Sequence, residues 1–242
     1  MKYKIILSYN GTPFSGWQKQ LNGKTVQGEL ENAFNILMQT NIEVVGCGRT
    51  DTGVHAKNYC AHYEIDYPIN TQDLVYRLNK ILPSEIAVHS IQEVSEDFHS
   101  RFSAISRTYL YRINLQKDPF LINSSWYISN NLDIDRMNEA CNLLIGTMEY
   151  GAFCKGDPPN DNYHCNVVEA IWTQSGTNIQ FQITANRFLR NMVRAIVGTC
   201  LEVGTHKISV DQFEEIIESN SRNEAGMSVP AHGLYLVQVE YP

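Results

Sequence analysis

The sequence predicts an α+β protein of two ferredoxin-like, RRM-like α/β halves with antiparallel sheets. Three observations carry this. Apolar stretches of strand length alternate with helix-period stretches, the latter open at capping residues, and the order β-α-β-β-α-β occurs once clearly and once loosely. Only the element order repeats, not the sequence. The halves are assigned to residues 1–105 and 106–242, and Asn114–Asn123 has linker-like composition.

The first half opens with a strand near Lys2–Tyr9, followed by the Gly/Pro loop 10–16. A helix starts at Thr25 as N-cap, with Val26, Leu30, Ala33, Phe34 and Leu37 on one face. A strand near Glu43–Cys47 leads into a polar loop, and Tyr59–Ile65 is the next strand. Asn70 or Thr71 caps a second helix with Leu74, Leu78 and Leu82 inward, which Pro83 stops. Ile86–Val94 closes the half as a strand.

In the second half a strand near Arg107–Leu115 is followed by a helix near Ile134–Ile145, capped by Asp133 and closed by Gly146. Strands near Val167–Gln174 and Ile179–Ala185 come next. A long helix is expected over about Arg187–Val203, with Gly204 just past its end. Ser209–Gln212 is a capping box for a further helix, and Leu234–Glu240 is the last strand.

Bulk properties narrow the function. With 43% hydrophobic and 19% charged residues among 242, the chain buries a real core and is not a disordered polyelectrolyte. No apolar run is long enough to span a membrane, and the N-terminus reads as a strand rather than a signal peptide, so a cytoplasmic location is expected. Six scattered cysteines without a CxxC pair read as small buried hydrophobes. A net charge of −7 opposes a nucleic-acid partner unless the basic residues are concentrated on one face.

Three stretches could carry chemistry. The loop Cys47–Ala56 gathers Arg49, Asp51 and His55 between glycines. Glycine lets backbone approach a ligand, and an arginine two residues from an aspartate favours the carboxylate form that a nucleophile or base needs. The same pattern also fits a plain turn with a surface ion pair. Arg187, Arg190 and Arg194, three and four apart, would line one helix face and suit a phosphate backbone, or equally a solvated face paired with acids. Across Phe98–Arg112, aromatic and basic residues interleave around Arg101 and Tyr109; this suits stacking on bases, although tyrosines at alternate strand positions are common core material. The glycines of Gly11–Gly16 are not a phosphate loop, because Trp17-Gln18 follow where Lys and Ser/Thr are required. No His/Cys pair has zinc-site spacing.

Taken together and in order, Tyr9–Gln18, Gly48–Ala56, Phe98–Ala104, Arg107–Tyr111, Asn186–Arg194 and Pro230–Leu236 resemble the motifs of the TruA family of tRNA pseudouridine synthases. The resemblance covers essentially the whole chain. It implies two α/β halves whose sheets adjoin along a catalytic cleft, and a homodimer with tRNA lying across both subunits. It also implies conversion of uridine to pseudouridine at positions 38, 39 and 40 of the anticodon stem-loop, without cofactor or metal. On the matching motifs, Asp51 is the catalytic aspartate, Arg49 its partner and Tyr109 the active-site tyrosine. Leu234 is expected as an apolar wall of the pocket, with Arg187, Arg190, Arg194, Arg101 and His55 as further substrate contacts; some of Arg187, Arg190 and Arg194 could instead fix Asp51. Because the target base lies in or beside a stem, it must be flipped out, and Arg49 could fill the gap. Asn58 and Tyr59 stand where many relatives have Gly and Gln, and Glu149–Phe153 departs from the usual motif. A non-catalytic tRNA-binding module on the same fold is the alternative; it would have no need of a carboxylate facing a polyanion.

Overall fold

A computed structural model describes residues Met1–Pro158 and Asn160–Pro242. By contacts the chain divides into one unit of Met1–Ile105 with Tyr235–Pro242, and a second of Ser106–Leu234.

In the first unit, β1 (Lys2–Tyr9) buries Tyr3, Ile5, Leu7 and Tyr9, the period of two that a sheet imposes. It lies between β4 (Ile86–Val94) and β3 (His55–Glu64), antiparallel to both. The outer edge of β3 is shared. At one end β2 (Val45–Gly46) pairs with Ala61 and His62; at the other, β10 (Leu234–Glu240) runs parallel along His55 and Ala56. The order β4-β1-β3-β2 is that of a ferredoxin-like unit whose β2 has shrunk to two residues. Helix α1 (Val26–Met38) is started by Thr25, whose Oγ1 accepts from the Gly28 amide at 3.2 Å. It buries Val26, Leu30 and Phe34 completely, each worth about 1.5–3 kcal/mol of transfer free energy. For α2 (Thr71–Ile81) the cap is Asn70, and the extended Leu82 before Pro83 ends it.

In the second unit β5 (Ser106–Asn114), β9 (Asn178–Ala185), β8 (His164–Ser175) and β7 (Gly146–Glu149) are successive antiparallel neighbours. Two residues, β6 (Trp126–Tyr127), pair parallel with the end of β5. The run β5-β9-β8 reproduces β1-β3-β2 of the first unit, so the repeat of element order is also a repeat of strand order. Helix α3 (Ile134–Asn142) is capped by Asp133. Helix α4 (Met192–Gly204) is buried on nearly every side and is the centre of this unit's core. Helix α5 (Val210–Ser219) opens with the Ser209–Gln212 capping box.

Several boundaries differ from expectation. Helix α4 begins at Met192, not Arg187, because Asn191 takes the left-handed conformation (φ 66°, ψ 1°) and the Arg190 carbonyl accepts from Lys155 N at 3.0 Å. Arg187 and Arg190 therefore lie in the loop before the helix, only Arg194 is on it, and the expected row of three arginines on one helix face is not formed. Gly146, expected to close α3, instead opens β7. Strands β3 and β8 each start some residues earlier than expected. The last strand follows the second half in sequence, yet Tyr235–Pro242 packs with the first unit. All six cysteines are buried. Among the described residues no helix is long and apolar enough to cross a membrane.

Candidate active site

The loop between β2 and β3 is held from several sides by the first unit. Tyr59, buried in β3, donates its hydroxyl to the Gly48 carbonyl. The Tyr9 hydroxyl lies 2.8 Å from Thr50 Oγ1, and the Trp17 amide donates to the Thr50 carbonyl at 3.2 Å. Behind these contacts the three rings pack together, Trp17 stacked on Tyr59 at 4.0 Å between centroids and Tyr9 tilted against Tyr59 at 5.5 Å. Such ring contacts add about 0.5–1.5 kcal/mol beyond their area. Gly48 and Thr50 are thus pinned on either side of Arg49, and Asp51 follows the second pin.

Beyond Asp51 the chain turns at once. Val54 N donates to the Asp51 carbonyl at 3.1 Å, with Gly53 at φ 79°, the third-position glycine that a type II turn requires. The first loop, 10–16, fits this turn by backbone contact. Gly16 sits at φ 87°, where a Cβ would come within 2.5 Å of the Thr50 carbonyl oxygen, and a Cβ on Gly11 would meet the Val54 oxygen at 2.0 Å. The Gly11 amide also donates to Nδ1 of His55 at 3.0 Å. The glycines that might have suggested a phosphate loop therefore admit the Asp51 loop, and the motif Tyr9–Gln18 serves the motif Gly48–Ala56.

Within this frame Asp51 is half-buried and Arg49 is exposed. Arg49 enters no ion pair among the described residues, so the expected Arg49–Asp51 pairing is not made. Its backbone neighbours are held, which leaves an exposed cation two residues from Asp51. His55 is buried, accepts from Gly11 and stacks on Tyr235 at 4.6 Å. That is a structural position, and it does not suit the direct substrate contact expected from the sequence.

The other residues singled out in the sequence, Arg101 excepted, belong to the second unit. Tyr109, half-buried on β5, is met edge-on by Phe188 at 5.0 Å. Tyr111, on the same strand face, is fully buried, its hydroxyl donating to the Pro230 carbonyl at 2.8 Å. Burial holds its phenol well above the ordinary tyrosine range, although Arg194 opposes this. The two tyrosines are therefore divided between a surface-facing and a core role. Arg194 is half-buried with Nε donating to Val229 O at 2.7 Å; Arg187 is half-buried and Arg190 exposed. Leu234 is buried where the last strand begins. Arg101 is exposed, its guanidinium 5.5 Å over the Phe102 ring.

Three participants escaped the sequence reading. Tyr9 stands out in the sequence only as the start of a motif and Tyr59 only as a departure from one, and the hydroxyl contacts reveal their grip on the Asp51 loop. Phe188 falls within the helix expected from Arg187 and instead lies in the loop, against Tyr109.

The comparisons agree with the motifs. A sequence profile described as tRNA pseudouridine synthase matches residues 5–103 and 140–242. The chain is 47% identical over 244 residues to tRNA pseudouridine synthase A of Parabacteroides distasonis, covering all of this chain and 96% of that protein. It is 46% identical to the protein of that name from Porphyromonas gingivalis, across all of this chain and 97% of the relative. For the Bacillus subtilis protein of that name the identity is 38%, over all of this chain and 99% of the relative. A clamped aspartate loop, the six ordered motifs and full-length similarity converge, and the chain belongs to the tRNA pseudouridine synthase family.

Proposed function

We propose that this protein isomerises uridine to pseudouridine in tRNA, with Asp51 as the catalytic carboxylate. The observation that carries the assignment is the double tyrosine grip on Gly48 and Thr50, which fixes the backbone on the N-terminal side of a half-buried aspartate. Rigid placement of a reacting group removes an entropic part of the barrier. The reaction needs such a group and no co-reactant. The N1–C1′ bond breaks, the uracil turns, C5–C1′ forms, C5 loses its proton and N1 ends protonated. An aspartate can serve by attack at C1′, by addition to C6 or by taking the 2′ proton, and each route uses the carboxylate form.

Arg49, exposed and unpaired with Asp51, is assigned to the space left by the flipped nucleotide. Tyr109 is assigned to stacking on uracil or to moving the C5 proton, and Leu234 to an apolar contact. Arg187, Arg190 and Arg194 are assigned to phosphates. The substrate positions are uridines 38, 39 and 40 of the anticodon stem-loop, and the working form is a cytoplasmic homodimer. The family motifs quoted above support these finer assignments.

The test is tritium release from tRNA carrying uridine labelled at C5. Wild type is expected to release label, whereas Asp51→Asn releases none and still binds tRNA within a few fold. A folded Asp51→Asn protein that releases label at the wild-type rate removes Asp51 from the chemistry.

A further inference from the structure

The loop Phe98–Ala104 is unusually well fixed for a segment that leaves an aromatic ring in solvent. Nδ1 of His99 accepts from the amides of Arg101 and Phe102 at 3.1 and 3.3 Å. His99 and Ser103 bond reciprocally, Ser103 N to His99 O and His99 N to Ser103 Oγ. Ser100 ties the loop to the sheet, its Oγ donating to Val45 O at 2.7 Å and its amide to Nδ1 of His62 at 3.2 Å. Tyr241, after the last strand, donates to Ser100 O at 2.6 Å. Yet Phe102 is 75% exposed. One edge of the exposed group is the His99 ring, 4.3 Å away and tilted by 35°, and the Arg101 guanidinium lies over the Phe102 ring.

An exposed phenylalanine on a mobile loop can be accidental. One on a loop held by seven hydrogen bonds is kept from relaxing into the protein, so its apolar face stays available for a partner. The flanking chemistry indicates which. Aromatic ring, imidazole and guanidinium are the three side-chain surfaces on which unpaired RNA bases stack. The imidazole contributes as a neutral ring, because burial and then the nearby Lys2 and Arg101 hold His99 below its ordinary range. Lys4 adds a cation near Phe98, 6.0 Å from that ring, while Lys2 is partly offset by Glu64 at 3.1 Å. Lys4 and Arg101 thus each set a cation against an aromatic ring of this loop, in a chain of net charge −7.

The location separates this surface from the reacting uridine. Ser100 is pinned at His62, whereas the Asp51 loop joins β3 at His55, so the two lie seven residues apart on one strand, or about 23 Å at the usual strand rise. We propose that Phe102, with His99 and Arg101, is a stacking platform for an unpaired base of the tRNA remote from the modified nucleotide. This rests on the reading of the protein as a tRNA-modifying enzyme. The platform adds affinity and register, and takes no part in the chemistry.

The test compares Phe102→Ala, Phe102→Trp and wild type for tRNA binding, for single-turnover modification at saturating tRNA and for mass in solution by light scattering. The expected result is a Kd raised about tenfold or more for Phe102→Ala. Affinity is kept for Phe102→Trp, and both variants retain the wild-type rate at saturation, the wild-type mass and the wild-type melting temperature. Unchanged affinity in Phe102→Ala overturns the platform while leaving the catalytic reading intact. A fall in mass for Phe102→Ala also overturns it, by assigning the ring to contact with a second copy of the chain. If wild type neither binds nor modifies tRNA, the catalytic reading fails first, a result the Phe102 comparison cannot produce.

Discussion

Tyr9 and Thr50 face each other across 2.8 Å, hydroxyl to hydroxyl, and this one bond joins the first strand to the residue immediately before Asp51. With the Tyr59–Gly48 bond it makes the position of Asp51 a property of the sheet rather than of the loop. Substituting Tyr9→Phe or Tyr59→Phe keeps the ring and removes the hydroxyl that makes the grip. Each is expected to cost about 0.5–1.5 kcal/mol of stability, from the lost hydrogen bond. The double variant is expected to lower kcat about tenfold to a hundredfold, with KM for tRNA within about twofold. Steady-state kinetics on the folded double variant check this, and an equal change in KM would show the grip serving binding instead.

Gly16→Ala is expected to be severe. The residue combines a φ of 87° with a Cβ position 2.5 Å from the Thr50 oxygen. Backbone strain of about 1–3 kcal/mol is then added to displacement of the Asp51 loop itself. Chemical denaturation should show the stability loss, and modification should fall by more than the stability loss alone explains.

Removing the Tyr63 hydroxyl should have the opposite sign. Tyr63 is 1% exposed, lies stacked beside Tyr3, and its oxygen has no hydrogen-bond partner among the described residues. Burying an unsatisfied hydroxyl costs about 1–3 kcal/mol, so Tyr63→Phe is expected to raise the melting temperature and leave activity unchanged. A lowered melting temperature would mean that the hydroxyl is satisfied in solution.

Stability should fall in mild acid through His62. Its ring is buried and held by Ser100, and its pKa is lowered to about 4 by burial first, with His99 and Lys2 adding repulsion against the weaker pull of Glu64. The unfolded chain takes up this proton near the ordinary value of 6.5, whereas the folded protein resists it until about 4. The contribution is therefore complete above about 6.5 and is lost as pH falls towards 4. Urea denaturation at neutral pH and at about pH 4.5 should show a smaller difference in His62→Gln than in wild type.

Arg190→Ala tests the phosphate assignment at an exposed position. It should weaken tRNA binding and reduce the salt dependence of log Kd by about one unit of slope. An unchanged slope would place Arg190 outside the RNA contact.

Much of this was legible in the sequence where local chemistry decides. Thr25, Asn70, Asp133 and Ser209 each cap the helix they precede, and the alternation in Lys2–Tyr9 is the buried alternation of β1. The start of α4 was not legible, because Phe188, Leu189, Met192 and Val193 keep helical apolar spacing straight across Asn191, whose left-handed turn leaves no mark in that spacing. The partner of β10 was hidden for a different reason: a strand's sequence says which face is buried and little about which strand it joins. The Asp51 loop was visible as a cluster of functional residue types. Its support was not, since hydroxyls on buried tyrosines look like any others until their acceptors are known.

The most direct test maps pseudouridine in a tRNA transcript with uridine at positions 38, 39 and 40, incubated with wild-type protein and with Asp51→Asn. The account predicts pseudouridine at those positions with wild type and none with the variant. Folded wild-type protein that modifies none of several such tRNAs, or a variant that modifies them as well as wild type, would contradict it.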